Sequence, residues 1–552
     1  MDVRTQMGTQ PMMQAGTQPM MQTGMQAGAQ PVMRAGAQPI MQARTQPMMQ
    51  AGARQMMQAG TQPMMQPIPT IPQRPDTEQT KRRKENFGVL GLGTLLYACF
   101  YTLCMYKAGR GLNEAFFLAG SLWFYCFCMK KLGISLKKDS IFYMISLLLL
   151  GVSTFCTADA KIINMNRAGI WVLTVSFLLH QFFEDKNWTF GRYAGYLVGA
   201  VFGSLGEITR PFLDMVEYRR KKGKQDGQKI AYVIVGVAVG IPVLFILWLL
   251  LMSADKMFLA MTEQLFENLD IANIVGIAFT VLAVFFFTYC MMSLLCKKPF
   301  SEKAADRVCV EAIPAITVML PVTVLYVVFC GVQIVCLFFG NIDLERYTYA
   351  EYARQGFFQL LAVCVINLVM VLASQAYFKR SKVLRALITV VSGCTYVMIA
   401  SAAFRMVLYI RHYYLTFLRI FVLWSLAVIF LLLTGIVVSI YKEKFPLFRF
   451  SMVVVTVCYL LLSFGHPDYW IARCNTANME SSHSSFFDVD AYEDYDYMMR
   501  LSPDAAPVLI PLSQEQSWAE GYARGVQDAY EEMGIRDFNL SVYIAEKILQ
   551  NY

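Results

Sequence analysis

The chain has 552 residues, 56% of them hydrophobic and only 16% charged, with a formal net charge of +9. A soluble domain carries roughly 25% charged residues, and here the apolar residues gather in runs of about 20 separated by short basic loops, so lipid is the solvent for most of the chain. A soluble enzyme, a collagen-like fibre and a disulfide-stapled secreted domain are excluded.

The charge divides into three regions: residues 1–86 are net +5, residues 87–464 net +14 and residues 465–552 net −10. The basic excess sits in the loops between apolar runs, as membrane topology demands, so no nucleic-acid partner is expected. Residues 1–80 form a tail of Met/Gln/Pro octapeptides of the type Thr-Gln-Pro-Met-Met-Gln-Ala-Gly, as at 9–16 and 17–24. Proline in each unit blocks a continuous helix, and a Gln/Gly/Pro-rich composition favours disorder. A tolerated repeat expansion is the simpler reading of this tail; a tether or docking arm is the alternative.

Residues 81–464 are read as an all-α polytopic bundle of about eleven spans. These are 87–106, 114–129, 140–157, 168–183, 230–252, 271–296, 313–339, 356–378, 383–408, 416–441 and 448–464. The second, fourth and last are short for a hydrocarbon core of about 30 Å. One set of loops holds 28 basic residues and the other about ten, the C-terminal tail aside. By the positive-inside rule the N-terminus is cytoplasmic and the tail extracytoplasmic, in a bacterial cytoplasmic (inner) membrane. Residues 190–208 are apolar enough to tempt a twelfth span, but that span would export seven basic residues between Arg210 and Lys229. They are therefore read as an interfacial or re-entrant helix, with Gly191, Gly195, Gly199 and Gly203 forming a small-residue packing face. Residues 257–269 read as an amphipathic helix at the opposite interface.

Residues 465–552 are read as a small, acidic, extracytoplasmic helical domain and a surface for a protein partner. Ser513 and Gln516 read as a capping box, followed by Trp518, Tyr522, Val526 and Met533 at helical spacing and a stop at Gly534. Residues 488–496 hold five acids among tyrosines, without the glycine turn and terminal glutamate of a calcium loop, so a solvated acidic face is the reading.

The chemistry of most enzymes is missing. The sequence has four histidines, no His-Glu-x-x-His, no Cys-x-x-Cys and no phosphate loop. Twelve of its fourteen cysteines lie in or at the ends of spans. No catalytic residue, metal ligand or cofactor is assigned, and the reading leans away from an enzyme. The polar residues inside spans are Gln333, Asn367 and Gln375, which suit interhelical hydrogen bonds or, less simply, a solute path. A second cluster falls at the outer ends of the last spans: Tyr349, Glu351, Tyr352 and Arg354 before the eighth, with Arg405, Arg411 and Arg419 around the ninth and tenth. Bases there run against the positive-inside trend. An ion-pair network is the simpler account; arginine forks suited to phosphate or carboxylate are the functional one.

The same residues carry a resemblance. Tyr349-Ala350-Glu351-Tyr352-Ala353-Arg354, Tyr413-Tyr414-Leu415-Thr416-Phe417-Leu418-Arg419, Pro467-Asp468 with Asn475, Leu501-Ser502-Pro503-Asp504-Ala505-Ala506-Pro507, and Phe538-Asn539-Leu540-Ser541 resemble motifs of bacterial multi-pass inner-membrane proteins grouped as a domain of unknown function. In the second motif Tyr414 stands where that family usually has glycine. The resemblance spans roughly residues 85–552 and implies no activity; it implies that the outer cluster and the tail belong to one unit. The leading expectation is a non-enzymatic envelope protein that binds or senses an anionic lipid or small anionic solute at the outer face of the bilayer. A secondary transporter or flippase is the first alternative, and a membrane-embedded transferase on lipid-linked substrates the second.

Overall fold

The computed structural model describes residues 76–185, 188–221, parts of 236–257, 271–300, 310–338, 357–442, 445–481 and 495–552. All named elements among them are helices, and an isolated bridge pairs Val310 with Phe378. The expected amphipathic helix at 257–269, the acidic stretch at 488–496 and most of the span expected at 230–252 lie outside the described residues.

A short helix, α1 (Glu78–Glu85), precedes α2 (Phe87–Met105), α3 (Leu112–Leu132), α4 (Ser140–Cys156) and α5 (Ala160–Phe182). Then come α6 (Phe190–Leu205), α7 (Arg210–Lys221) and α8 (Ile271–Cys296). Leu90, Leu118, Leu147, Phe177 and Tyr289 are among the buried residues of one core shared by α2–α6 and α8. A second group, α9 (Ala312–Phe338), α10 (Phe357–Tyr377), α11 (Lys382–Tyr413) and α12 (Phe417–Tyr441), packs about Cys364, Met398, Leu433 and Val391. The next helix, α13 (Leu447–Ser463), joins the two groups. Trp424 Nε1 on α12 donates to Cys458 O at 2.8 Å, while Tyr459 OH reaches Asn166 of α5 at 2.6 Å.

Eight described helices are long and apolar enough to cross a membrane, so this is a multi-pass membrane protein. Of the eleven expected spans, the one at 230–252 lies mostly outside the described residues, and two others fall short of spanning length. Helix α4 has 17 residues, about 25 Å of rise against the roughly 30 Å hydrocarbon core. Helix α13 is equally short and reaches spanning length only together with residues 467–477, beyond a bend of 55°. That bend is where the chain enters the tail, because Ile471 and Ala472 past it pack into the tail's own core.

Helix α6 has 16 residues, short of the length of the spanning helices. Its neighbours include helix ends: the Tyr193 ring packs at a tilt against Phe448 at the start of α13, and Gly203 faces Leu294 at the end of α8. The glycine face is used at Gly199 and Gly203, whereas Gly195 has open space around it. Beyond α13 the tail holds α14 (Pro467–Ser481), α15 (Ala506–Leu512), α16 (Ser517–Glu531) and α17 (Leu540–Leu549) around Met498, Leu509, Tyr522 and Val526. The expected capping box does not form. Ser513 closes α15, donating to Ile510 O at 2.7 Å, and α16 starts four residues later with Gln516 as its cap. The same hydroxyl that caps a helix start also satisfies the free carbonyls of a preceding helix.

Candidate functional site

The predicted arginines fall on the last turns of α11 and the first turn of α12. Arg405 is 8% exposed, and its Nη2 donates to Gln333 Oε1 at 3.1 Å. Ser401 Oγ donates to the same oxygen at 2.7 Å. A residue read as part of a solute path and one read as an anion ligand thus meet in one α9–α11 contact. One turn further along α11, the Arg419 guanidinium lies 4.2 Å from the Tyr409 ring centroid, a cation–π distance, and Tyr409 neighbours Phe357. Arg419 Nη1 also donates to Tyr414 O. Tyr414 has φ +62°, in the left-handed region that glycine adopts freely and tyrosine rarely does. Arg411 is exposed, and Tyr349, Glu351, Tyr352 and Arg354 lie outside the described residues.

The other two intramembrane polar residues sit at separate contacts. Asn367 accepts from Tyr326 OH at 2.8 Å and donates to Thr395 Oγ1 at 3.0 Å, tying α9, α10 and α11. Gln375 accepts from Ser439 Oγ at 3.0 Å, between α10 and α12.

Sequence reasoning missed the junction where the tail docks on the bundle. Asp504 is its hub. Its carboxylate accepts from Thr157 Oγ1 at 2.5 Å, Ala158 N at 2.8 Å and Ser541 Oγ at 2.5 Å, and His466 Nδ1 lies 3.0 Å away. Burial pushes Asp504 up, but those four contacts outweigh it and hold the carboxyl below its ordinary value. The Asp504 carboxylate in turn raises His466, against the effect of burial. Nearby, burial and the charge of Asp468 push Asp159 up to about 6. Asn539 donates to Thr157 O at 2.8 Å while its Oδ1 caps α17. The loop before it pairs with the α2–α3 turn: Leu112 N donates to Phe538 O at 2.9 Å and Gly109 N to Asp537 Oδ1 at 2.6 Å. On the other flank, Asn475 clasps Leu415 through both its N–H and its C=O, at 2.7 and 2.9 Å.

Beside this junction an apolar groove of about 580 Å³ runs between α12, α13 and α14. Ile420, Leu423 and Trp424 form one wall, Leu461 and Leu462 the second, Trp470 and Cys474 the third. Among the described residues no three His, Cys, Asp or Glu side chains are placed to hold a metal ion.

Residues 144–512, more than half of the chain, match the family model described as Domain of unknown function (DUF4153). The chain belongs to this family. No curated protein and no solved structure matches it. The DUF4153 match takes in α5 to α15 and so includes the arginines, Asn475 and Asp504, but it stops before Asn539 and Ser541. Those two residues nevertheless complete the hub that the DUF4153 residues build. The signal for the junction was present in the motifs, since Asn475, Asp504, Asn539 and Ser541 all belong to them and the resemblance implied one unit; what the motifs lacked was which residues meet.

Proposed function

We propose that this DUF4153 protein is a non-enzymatic protein of the bacterial envelope that binds an anionic ligand at the tail-side face of its membrane bundle. In this reading the repeats lie in the cytoplasm and the tail outside, as the loop charges require. The observation that carries it is that Arg405 and Tyr409, the ring on which Arg419 rests, stand one turn apart near the end of α11, whose following turn Asn475 clasps. A guanidinium at the membrane edge is costly unless it snorkels or is paired, and its planar fork matches phosphate and carboxylate oxygens. The stacking face of Tyr409 and the carbonyl of Tyr414 set the orientation of Arg419.

The test is binding of phosphatidylglycerol and of soluble glycerol phosphate to the full chain in detergent. Arg419→Gln is expected to weaken binding of whichever anion is taken up by about tenfold, roughly 1.4 kcal/mol. Arg411→Gln, at an exposed position, checks that the loss is not one of folding. Binding unchanged in both variants and in Arg405→Ala would overturn the assignment.

A further inference from the structure

We infer that the ligand is a membrane lipid whose acyl chain lies in the groove between α12, α13 and α14. This rests on the anion-binding reading above and names the ligand class of that face.

Four observations favour a lipid chain over water. The lining is almost wholly hydrocarbon, and the indole N–H of Trp424 is already committed to Cys458 O. Water entering there would find few of the two to four polar partners it needs. The volume of about 580 Å³ falls within the roughly 300–1,000 Å³ of ligand pockets. Two of the three walls are helices of the membrane bundle, and two large lining residues are open to their surroundings, Leu461 at 70% and Trp470 at 51% exposure. Such a cleft faces the bilayer, where acyl chains are the solvent, and a tryptophan at its edge suits the headgroup boundary.

Charge supplies the second half of the fit. Arg473 is exposed on α14, one position from the lining residue Cys474, and its Nη1 donates to Tyr469 OH at 2.9 Å. On the opposite wall Arg419 precedes the lining residue Ile420 in the first turn of α12, and its Nη1 reaches the carbonyl of Tyr414, the residue before the lining residue Leu415. Basic residues thus sit next to lining residues on two walls, and a lipid seated by its chain would bring its phosphate toward them.

The experiment uses the full chain in detergent and lipids with brominated acyl chains, which quench nearby tryptophans. Trp470→Phe and Trp424→Phe assign the signal. Brominated phosphatidylglycerol is expected to quench saturably and about tenfold more tightly than brominated phosphatidylcholine. Cys474→Phe, which fills the groove from an exposed position without adding a tryptophan, should remove this quenching, and Arg473→Gln should erase the preference for the anionic lipid. If soluble glycerol phosphate binds as tightly as the lipid and Cys474→Phe leaves both unchanged, the groove assignment fails while the anion site stands. If no anion binds, both readings fail. Equal quenching by both lipids overturns the anionic headgroup, and a dimer dispersed by Cys474→Phe without quenching assigns the groove to a second copy of the chain. Should Cys474→Phe not fold, the wild-type lipid comparison with Arg473→Gln decides alone.

Discussion

The two ends of the membrane bundle are each stitched by a buried aspartate, and the partners differ. At the basic-loop end Asp214 accepts from Arg83 Nε at 2.8 Å, from Arg83 Nη2 at 3.2 Å and from Tyr289 OH at 2.8 Å. The Arg83 and Asp214 side chains are 0% and 1% exposed, and Arg83 Nη1 continues to Ser293 Oγ at 2.6 Å. At the tail end Asp504 is held by two hydroxyls, one amide and a histidine. An arginine keeps its proton across the whole physiological range, whereas a histidine loses it there. The stitch that ties α1 to α7 and α8 is therefore permanent, and the one that ties the tail to the α4–α5 turn titrates.

The largest effect is expected at the permanent stitch. Asp214→Ala leaves the Arg83 guanidinium buried without its carboxylate, which costs about 3–5 kcal/mol for a pair of this burial. Thermal unfolding in detergent should fall accordingly, and exchanging both residues for apolar ones should recover much of the loss. A change under about 1 kcal/mol would mean that water reaches the pair and that the two ends are not so different. Next in size is the tail stitch. Asp504→Asn keeps the shape but removes the charge that four groups address, for roughly 2 kcal/mol. Gly111→Ala attacks the same docking by another route, since its Cβ would lie 2.3 Å from the carbonyl oxygen of Phe538. Both variants should make the tail a protease substrate while the bundle stays protected. A tail that remains protected in both would mean that the Asn475 clasp alone holds it.

How far the sequence reveals these stitches depends on the distance along the chain. The spans are legible because each is one apolar run; α6, at 16 residues, is shorter than the spanning helices. Among the described residues the expectation fails where a run of 17 residues, α4 or α13, is too short to cross the hydrocarbon core on its own. The start of α16 was misplaced because Ser513 serves the helix before it. The junctions themselves are invisible to periodicity: Asp504 gathers residues 157, 466 and 541, and Arg405 meets Gln333 from 72 positions away. Motif pieces mark such residues as special; only folding shows their partners.

A pH series separates the two stitches with a smaller effect. His466 is raised above its ordinary 6.5, so its contribution is complete below 6.5 and is lost as pH rises through the higher folded value. Asp504 is lowered, so its contribution is present above 3.8 and fails only as pH falls through its still lower folded value. Asp159, raised to about 6, works in the opposite sense for an acid: it favours docking when protonated, and that support is lost as pH rises from 3.8 to 6. Protease protection of the tail should thus decline from pH 4 to 6 and again above 6.5. Asp159→Asn should flatten the first decline and His466→Gln the second. Protection of α1 should stay level throughout; a parallel decline there would erase the contrast.

The smallest effect is expected between the two ends, and it decides whether the middle of the bundle is a seam or a passage. Asn367 is fully buried, with its oxygen on Tyr326 and its amide on Thr395. Hydrogen bonds of this kind between membrane helices average about 0.6 kcal/mol, because the unfolded helices also find partners in lipid. Asn367→Leu should accordingly lower stability by less than about 1 kcal/mol, well below either stitch. The companion measurement is access. Cysteine placed at 333, 367 or 375 should resist water-soluble thiol reagents from both sides, since each native residue is engaged by a neighbouring helix. Labelling at all three positions, together with a loss of solute or lipid movement in Asn367→Leu, would make them the lining of a path and favour transport over binding. Sealed positions with a small stability change leave the bundle as a scaffold whose specialised chemistry is concentrated at its ends.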